Sequence, residues 1–202
     1  MKKLFTMLTV VALMGSLLVS PAKAASLSHT VVSGDTMWKL AVRYQIGTSE
    51  IIQANPHISD PNLIYPGQVL QIPQLDSAVT NYEAEVIRLV NEIRRQNGLQ
   101  PLTANWELSR VARYKSQDMR DNGYFSHTSP TYGSPFQMIK AFGLSYRAAG
   151  ENIARGYSTP QAVVNGWMNS SGHRANILNA SYTQIGVGYV SQGSYWTQMF
   201  IG

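Results

Sequence analysis

The sequence predicts an α+β protein in two units: a small βααβ module, then a larger set of helices flanking a small antiparallel sheet. Three observations predict it. Between His29 and Pro73, two short β-type runs bracket two helical stretches. From Asn81 onward, apolar residues recur at helical spacing in four segments. The chain then closes on two alternating runs joined by Ser191-Gln192-Gly193-Ser194, the pattern of a hairpin. Finally, the 202 residues contain no cysteine, so each unit must hold itself together by an apolar core. A composition of 44% hydrophobic and 13% charged residues is globular and leaves room for one or two domains.

The N-terminus reads as an export signal. Lys2 and Lys3 precede a 16-residue apolar run, Leu4 to Val19, followed by Pro21 and the small-residue site Ala22-Lys23-Ala24. This is the layout of a secretory signal peptide cut after Ala24, which excludes residues 1–24 from the fold. An uncleaved anchor is the alternative, because such a run is nearly long enough to span a bilayer. The small-residue site favours cleavage, after which no stable membrane insertion is expected. Without Lys2, Lys3 and Lys23, 13 basic and 11 acidic side chains remain, a net +2 instead of +5. No run of Lys and Arg interleaved with aromatics occurs, so nucleic acid is not an expected partner.

In the first unit, His29-Thr30-Val31-Val32 reads as a short strand and Ser33-Gly34-Asp35-Thr36 as a turn that can cap a helix starting at Met37. Trp38, Leu40, Ala41 and Tyr44 give that helix an apolar face, and Gly47 is its expected stop. Ser49 is the expected cap of a second helix, Glu50 to Ala54, ended by Asn55-Pro56. Leu63-Ile64-Tyr65-Pro66-Gly67-Gln68 then turns the chain into a strand, Val69 to Ile72. His57 stands in a polar loop and reads as a surface residue.

These stretches resemble the LysM domain: Val31-x-Ser33-Gly34-Asp35-Thr36-x-Trp38-x-Leu40-Ala41, then Ala54-Asn55-Pro56, then Asn62-Leu63-Ile64-Tyr65-Pro66-Gly67-Gln68 and a final Ile72-Pro73. The resemblance implies a LysM unit over residues 28–74 that binds polymers of N-acetylglucosamine, a peptidoglycan or chitin-like glycan. It implies a groove between the turn Gly34, Asp35, Thr36 and the segment Asn62, Leu63, Ile64. The bland reading, that these residues simply make turns and caps, is compatible with it. Residues 75–81, small and polar, read as a short semi-flexible linker.

In the second unit, residues 82–202, Asn81 is the expected cap of a helix reaching about Asn97, with Val86, Leu89, Val90 and Ile93 on one stripe. Asn105 opens a helix from Trp106 to about Asn122, with Leu108, Val111, Ala112 and Met119 inward. Ser134-Pro135 and Thr159-Pro160 open two more, the latter burying Val163, Val164 and Trp167. Strands are expected near Ala149–Ala154, at Gln184–Val190 and at Tyr195–Ile201.

Tyr124-Phe125-Ser126-His127, Gly150-Glu151-Asn152-Ile153-Ala154 and Gly172-His173-Arg174-Ala175-Asn176-Ile177-Leu178 hold two of the four histidines and the last carboxylate. In that order they resemble the CAP domain (cysteine-rich secretory, antigen 5 and pathogenesis-related-1 proteins), in a cysteine-free bacterial form. The resemblance implies an α-β-α sandwich whose cleft gathers His127, Glu151 and His173. Taken singly, each has a structural reading: a loop histidine, a carboxylate answering backbone amides, a capping imidazole. Together, two imidazoles and a carboxylate suit a divalent metal such as zinc, or proton transfer near neutral pH. The family's second acid is missing, with Gln137 about where it is expected. Glycoside hydrolysis generally needs two carboxylates, which leaves Glu107, Asp118 and Asp121 as partners to weigh. Ser126 beside His127 is a further, weakly motivated nucleophile.

A LysM unit ahead of a cysteine-free CAP domain is similar to proteins of Gram-positive spore formers, including a sporulation-associated CAP family. The expectation is an exported cell-wall protein, at the spore envelope by analogy. Its second unit is a ligand-binding or scaffolding module, or alternatively a metal-assisted hydrolase of wall or protein. Protein partners are not legible.

Overall fold

The computed structural model describes residues 26–202, so the expected signal peptide and its cleavage site lie outside the described residues. Strand β1 (Ser26–Thr30), helix α1 (Met37–Tyr44), helix α2 (Thr48–Ala54) and strand β2 (Val69–Pro73) make the first unit, with β1 and β2 paired antiparallel from Ser26↔Pro73 to Thr30↔Val69. Thr36 caps α1 by accepting from the Lys39 amide. The core holds Met37, Leu40 and Ala41 with Ile46, Ile51, Leu70 and Ile72. Met37, Leu40, Ala41 and Tyr44 follow the i, i+3, i+4, i+7 rule, so Trp38 falls off the stripe and is 66% exposed, against the inward place its apolarity predicts. Two other local expectations give way. Gln45, in the left-handed region at φ 51°, ends α1 ahead of Gly47. Gly47 in turn caps α2 where Ser49 is expected.

The second unit begins almost at once. Helix α3 (Ser77–Gln96) starts four residues before the expected Asn81, with Asp76 as its cap, accepting from the Ala78 amide at 2.8 Å. Residues 77–81, five of the seven in the expected flexible linker, are therefore helix. Its residues Ser77, Ala78 and Thr80 carry no apolar stripe to announce it.

After α3 come β3 (Thr103–Ala104), α4 (Trp106–Asp121), α5 (Pro135–Ala141), β4 (Ala149–Arg155), α6 (Pro160–Met168), α7 (Ser171–Ile177), β5 (Gln184–Val190) and β6 (Tyr195–Ile201). The sheet order is β3-β5-β6-β4, antiparallel except for the short β3–β5 pair, which places β4 on an edge. Helices α4 and α5 cover one face, and α3, α6 and α7 the other. This α-β-α sandwich is the architecture the resemblance implies.

Strand alternation explains how each face is filled. On the α4 side lie Met199 and Ile201 of β6, packed with Leu108, Val111, Ala112, Met138 and Ile139. On the α3/α6 side lie Ile185 and Val187 of β5 with Trp196 and Phe200 of β6, packed on Val86, Val90, Val163, Val164 and Trp167. On β5 the α4-facing positions are Gly186 and Gly188. A Cβ at Gly188 would sit 2.1 Å from the Arg113 amide nitrogen, so the helix backbone rests directly on the strand. No helix among the described residues is long and apolar enough to cross a membrane.

Candidate functional site

The sheet edge brings His127 and Glu151 into contact, while His173 stands on α7 in the opposite layer. On β4, Glu151 pairs with Met199 and so faces the α4 layer, while Asn152 pairs with Gln198 and faces α6 and α7. His127 comes from the loop after α4. Its Nδ1 lies 2.7 Å from Glu151 Oε1, with the imidazole half exposed and the carboxylate 1% exposed. In the tautomer that carries its proton on Nδ1, the ring donates to this carboxylate and leaves Nε2 as the acceptor toward solvent. His173 sits on α7, a short helix where the sequence predicts only a turn. Asn152 Nδ2 donates to its carbonyl at 3.1 Å, and Asn176 Nδ2 donates to the Glu151 carbonyl and to Asn152 Oδ1. These amides tie α7 to the strand. Burial, with added repulsion from His127, pushes the His173 imidazole below its ordinary value.

Beneath the trio lie two charged groups of α4. Lys115 is 1% exposed, and its ammonium donates to the His127 carbonyl at 3.0 Å and the Tyr124 hydroxyl at 3.1 Å. Burial lowers its pKa against the pull of Glu151 and Asp118. Asp118 Oδ1 accepts from Asn122 and Thr131, and Oδ2 from Ser129 and the Tyr124 hydroxyl. Burial pushes Asp118 up, but these four bonds outweigh it and hold the carboxyl below the usual range. The Tyr124 phenol is raised by burial and by its bond to Asp118. Asp118 thus anchors the loop that presents His127, with every lone-pair direction occupied.

This settles the fate of the other candidates. Asp118 is a second carboxylate near Glu151, but one kept ionised and saturated cannot serve as a general acid. Gln137 is spent in a capping box at the start of α5, accepting from the Ser134 amide at 2.8 Å. Asp121 pairs with Arg120 at the surface, and Glu107 lies exposed in the first turn of α4. The Ser126 hydroxyl accepts from the Thr128 amide. Among the described residues, no three His, Cys, Asp or Glu side chains are gathered to hold a metal ion. Of the trio expected to hold zinc, His127 and Glu151 meet directly, and that contact engages only Nδ1 of the imidazole.

Sequence reading missed Lys115 as a member of this site and weighed Asp118 only as a possible acid partner of Glu151. The signal was available, since Lys115 falls on the apolar stripe of α4, between Val111 and Met119 at steps of four.

At the LysM groove, Gly34 adopts φ 89°, a turn conformation that suits glycine, and its carbonyl accepts from Lys39 Nζ at 2.6 Å. Asp35 accepts from the Val32 amide at 3.0 Å and engages His29 Nε2 at 2.8 Å, contacts that hold its carboxyl below the usual range. Asp35 and Thr36 thus shape the turn with their side chains. Asn62 and Leu63 are exposed and Ile64 half-buried. A hollow of about 480 Å³ lies elsewhere, between the two units, lined by residues such as Ile46, Pro73, Trp106 and Arg113.

Comparison with known proteins agrees with both halves. The Cysteine-rich secretory protein family (CAP) matches residues 87–200 and the LysM domain residues 29–73. The chain belongs to the CAP family and carries a LysM domain ahead of it. It is 60% identical over 126 residues to the uncharacterized protein YkwD of Bacillus subtilis, covering 62% of this chain and 49% of that one. A Bacillus anthracis extracellular protein containing an SCP domain superposes with a TM-score of 0.60 at 35% identity, over 67% of this chain and 47% of that one. The LysM part is 38% identical over 45 residues to the spore coat assembly protein ExsA of Bacillus cereus, covering 22% of this chain and 7% of that one. The chain spans about half the length, or less, of these relatives.

Proposed function

We propose that the protein is an exported cell-wall protein that docks on N-acetylglucosamine polymers through residues 28–74 and presents, in residues 82–202, a ligand-binding or scaffolding cleft. The observation that carries this reading is the intact LysM turn pair, Gly34–Thr36 with Asn62–Ile64, on a rigid βααβ frame. LysM domains bind peptidoglycan or chitin-like glycans. The spore envelope is the favoured site, because the LysM stretch is similar to part of a spore coat assembly protein. In the cleft, the saturated state of Asp118 leaves Glu151 without an acid partner, which favours binding over glycosidic cleavage.

One observation favours hydrolysis as a second reading. The Glu151-oriented His127 is a ready proton acceptor at the surface, the arrangement a general base needs. Co-sedimentation separates anchoring from cleft chemistry. The protein should pellet with insoluble peptidoglycan, and an Asn62→Ala, Leu63→Ala variant should remain in the supernatant. Equal pelleting of that variant would remove the LysM groove as the anchor. Release of soluble muropeptides by the intact protein, abolished in His127→Ala, would replace scaffolding with hydrolysis.

A further inference from the structure

We propose that, given the glycan reading of the first unit, His29 is a positioning residue of the glycan-binding turn. Through Asp35 it fastens the Gly34–Thr36 wall of the groove to the frame made by β1 and α1. Glycan affinity then depends on a side chain that is itself only 11% exposed. His29 stands on β1, opposite Leu70 of β2. Its Nε2 lies 2.8 Å from Asp35 Oδ2, and its Nδ1 lies 2.9 Å from the hydroxyl of Tyr44, the last residue of α1. The His29 and Tyr44 rings also meet edge to face, with centroids 5.7 Å apart. With its proton on Nε2, the ring donates to Asp35 and accepts from Tyr44. With both nitrogens protonated it donates to both, and the hydroxyl oxygen accepts. The link therefore holds in either charge state of the ring.

Asp35 passes the constraint on to the turn. Its side chain is 4% exposed, so the carboxylate braces the turn from inside. Oδ2 accepts from the Val32 amide at 3.0 Å, and the Asp35 amide donates to the Val32 carbonyl at 3.1 Å. The Val32 amide and His29 hold the carboxyl below its usual range, which keeps it the ionised acceptor of the link. Two further ties reach the turn from α1. Lys39 Nζ donates to the Gly34 carbonyl at 2.6 Å, and Arg43 Nη2 reaches Asp35 Oδ1 at 3.4 Å. Both come from long, exposed side chains, which hold one geometry only at an entropic cost. His29 is the short and rigid tie. A wall fixed before the ligand arrives needs less ordering on binding, so cutting this tie weakens affinity without removing a ligand contact.

Two amide substitutions separate positioning from packing, since both remove the ring. His29→Gln carries a donor out to the place of Nε2 and can still reach Asp35. His29→Asn carries its amide only as far as Nδ1 and can reach the Tyr44 hydroxyl alone. Calorimetric titration of the full protein with a soluble N-acetylglucosamine oligomer should find His29→Gln within about twofold of the unaltered affinity and His29→Asn about tenfold weaker. Hydrogen exchange without ligand supplies a second readout. The Val32 amide should stay protected in His29→Gln and lose protection in His29→Asn. The Ile51 amide, bonded to the Gly47 carbonyl, should stay protected in both and so report an intact unit. Equal affinity losses in the two variants, or none in either, would overturn the proposal and leave the ring a packing role. An unaltered protein that binds no oligomer would remove the glycan reading, and equal Val32 protection in the two variants would then overturn the role of His29. Should His29→Asn fail to fold, Tyr44→Phe decides, because it keeps the apolar contacts and removes only the hydroxyl that orients the ring. It should show a partial loss of affinity and of Val32 protection, and both unchanged would overturn the proposal.

Discussion

Three charged side chains sit where the helices should be apolar, and each has a defined task. Arg94 follows Val90 by four on α3 and is 1% exposed. It donates to the carbonyls of Gln100, Ile177, Asn179 and Tyr182, and so ties the end of α7 and the loop before β5 to α3. Glu83, on the same stripe, receives Arg113 at 2.6 Å and the Tyr189 amide at 3.1 Å; burial raises its pKa against the pull of Arg113. Lys115 holds the His127 loop. His173 carries a pH prediction of its own. Its folded pKa lies below its unfolded one, so the unfolded state takes up the proton first as pH falls. The resulting stability is present in full above the unfolded value of about 6.5 and is lost as pH drops through the lower folded value. Melting curves from pH 7.5 to 5 should therefore decline more for the unaltered protein than for His173→Gln. Parallel declines would place His173 in open solvent.

At the scale of elements, β5 shows how a strand can be chosen for what it lacks. Gly186 and Gly188 alternate with Ile185 and Val187, so one face of the strand is packed by side chains and the other by the α4 backbone itself. Gly188→Ala would force a methyl into that contact and should destabilise by about 3 kcal/mol, measured by denaturant unfolding. A loss below about 1 kcal/mol would mean that α4 stands off the sheet. The hairpin of β5 and β6 was fully legible, since alternation and the polar turn are local signals. So were α5 and α6, each opened by a Ser or Thr cap and a proline. Helix α7 was not legible, because Ser-Gly-His-Arg-Ala-Asn carries no apolar period. Asn152 of β4 and Arg94 of α3 hold it instead, together with its own Asn176, which donates back to β4. The trio at the cleft was legible only through family resemblance, and the groups beneath it only by asking why a lysine and an aspartate occupy a buried stripe.

At the scale of the whole fold, a single ion pair among the described residues joins the two units. Arg110 of α4 meets Glu50 of α2 through Nε at 2.6 Å and Nη2 at 2.9 Å, with Ser49 Oγ at 2.8 Å. The guanidinium also lies over the rings of Tyr114 and Phe142. Gly47 leaves room for this, since a Cβ there would meet Glu50 and Arg110 at 2.1 and 2.3 Å. Burial raises Glu50 but the Arg110 and Ser49 bonds prevail, and the carboxyl is held below its usual range. Arg110→Ala should therefore free the units to tumble separately, visible as distinct rotational correlation times in nitrogen-15 relaxation, with each core intact. A single shared correlation time in that variant would assign the coupling to the short connection instead.

That connection leaves only Gln74 and Leu75 between the end of β2 and the cap of α3. A long tether lets a passenger sweep the volume around its anchor, at a local concentration that falls with tether length. Here the arm is about two residues and is braced by an ion pair. On the proposed function, with the first unit gripping a sugar chain, the second would address only what lies at one offset and one heading from it. On that proposal, selectivity would come from the spacing of neighbouring features on the wall as well as from the chemistry of the cleft. Such a protein acts as a gauge.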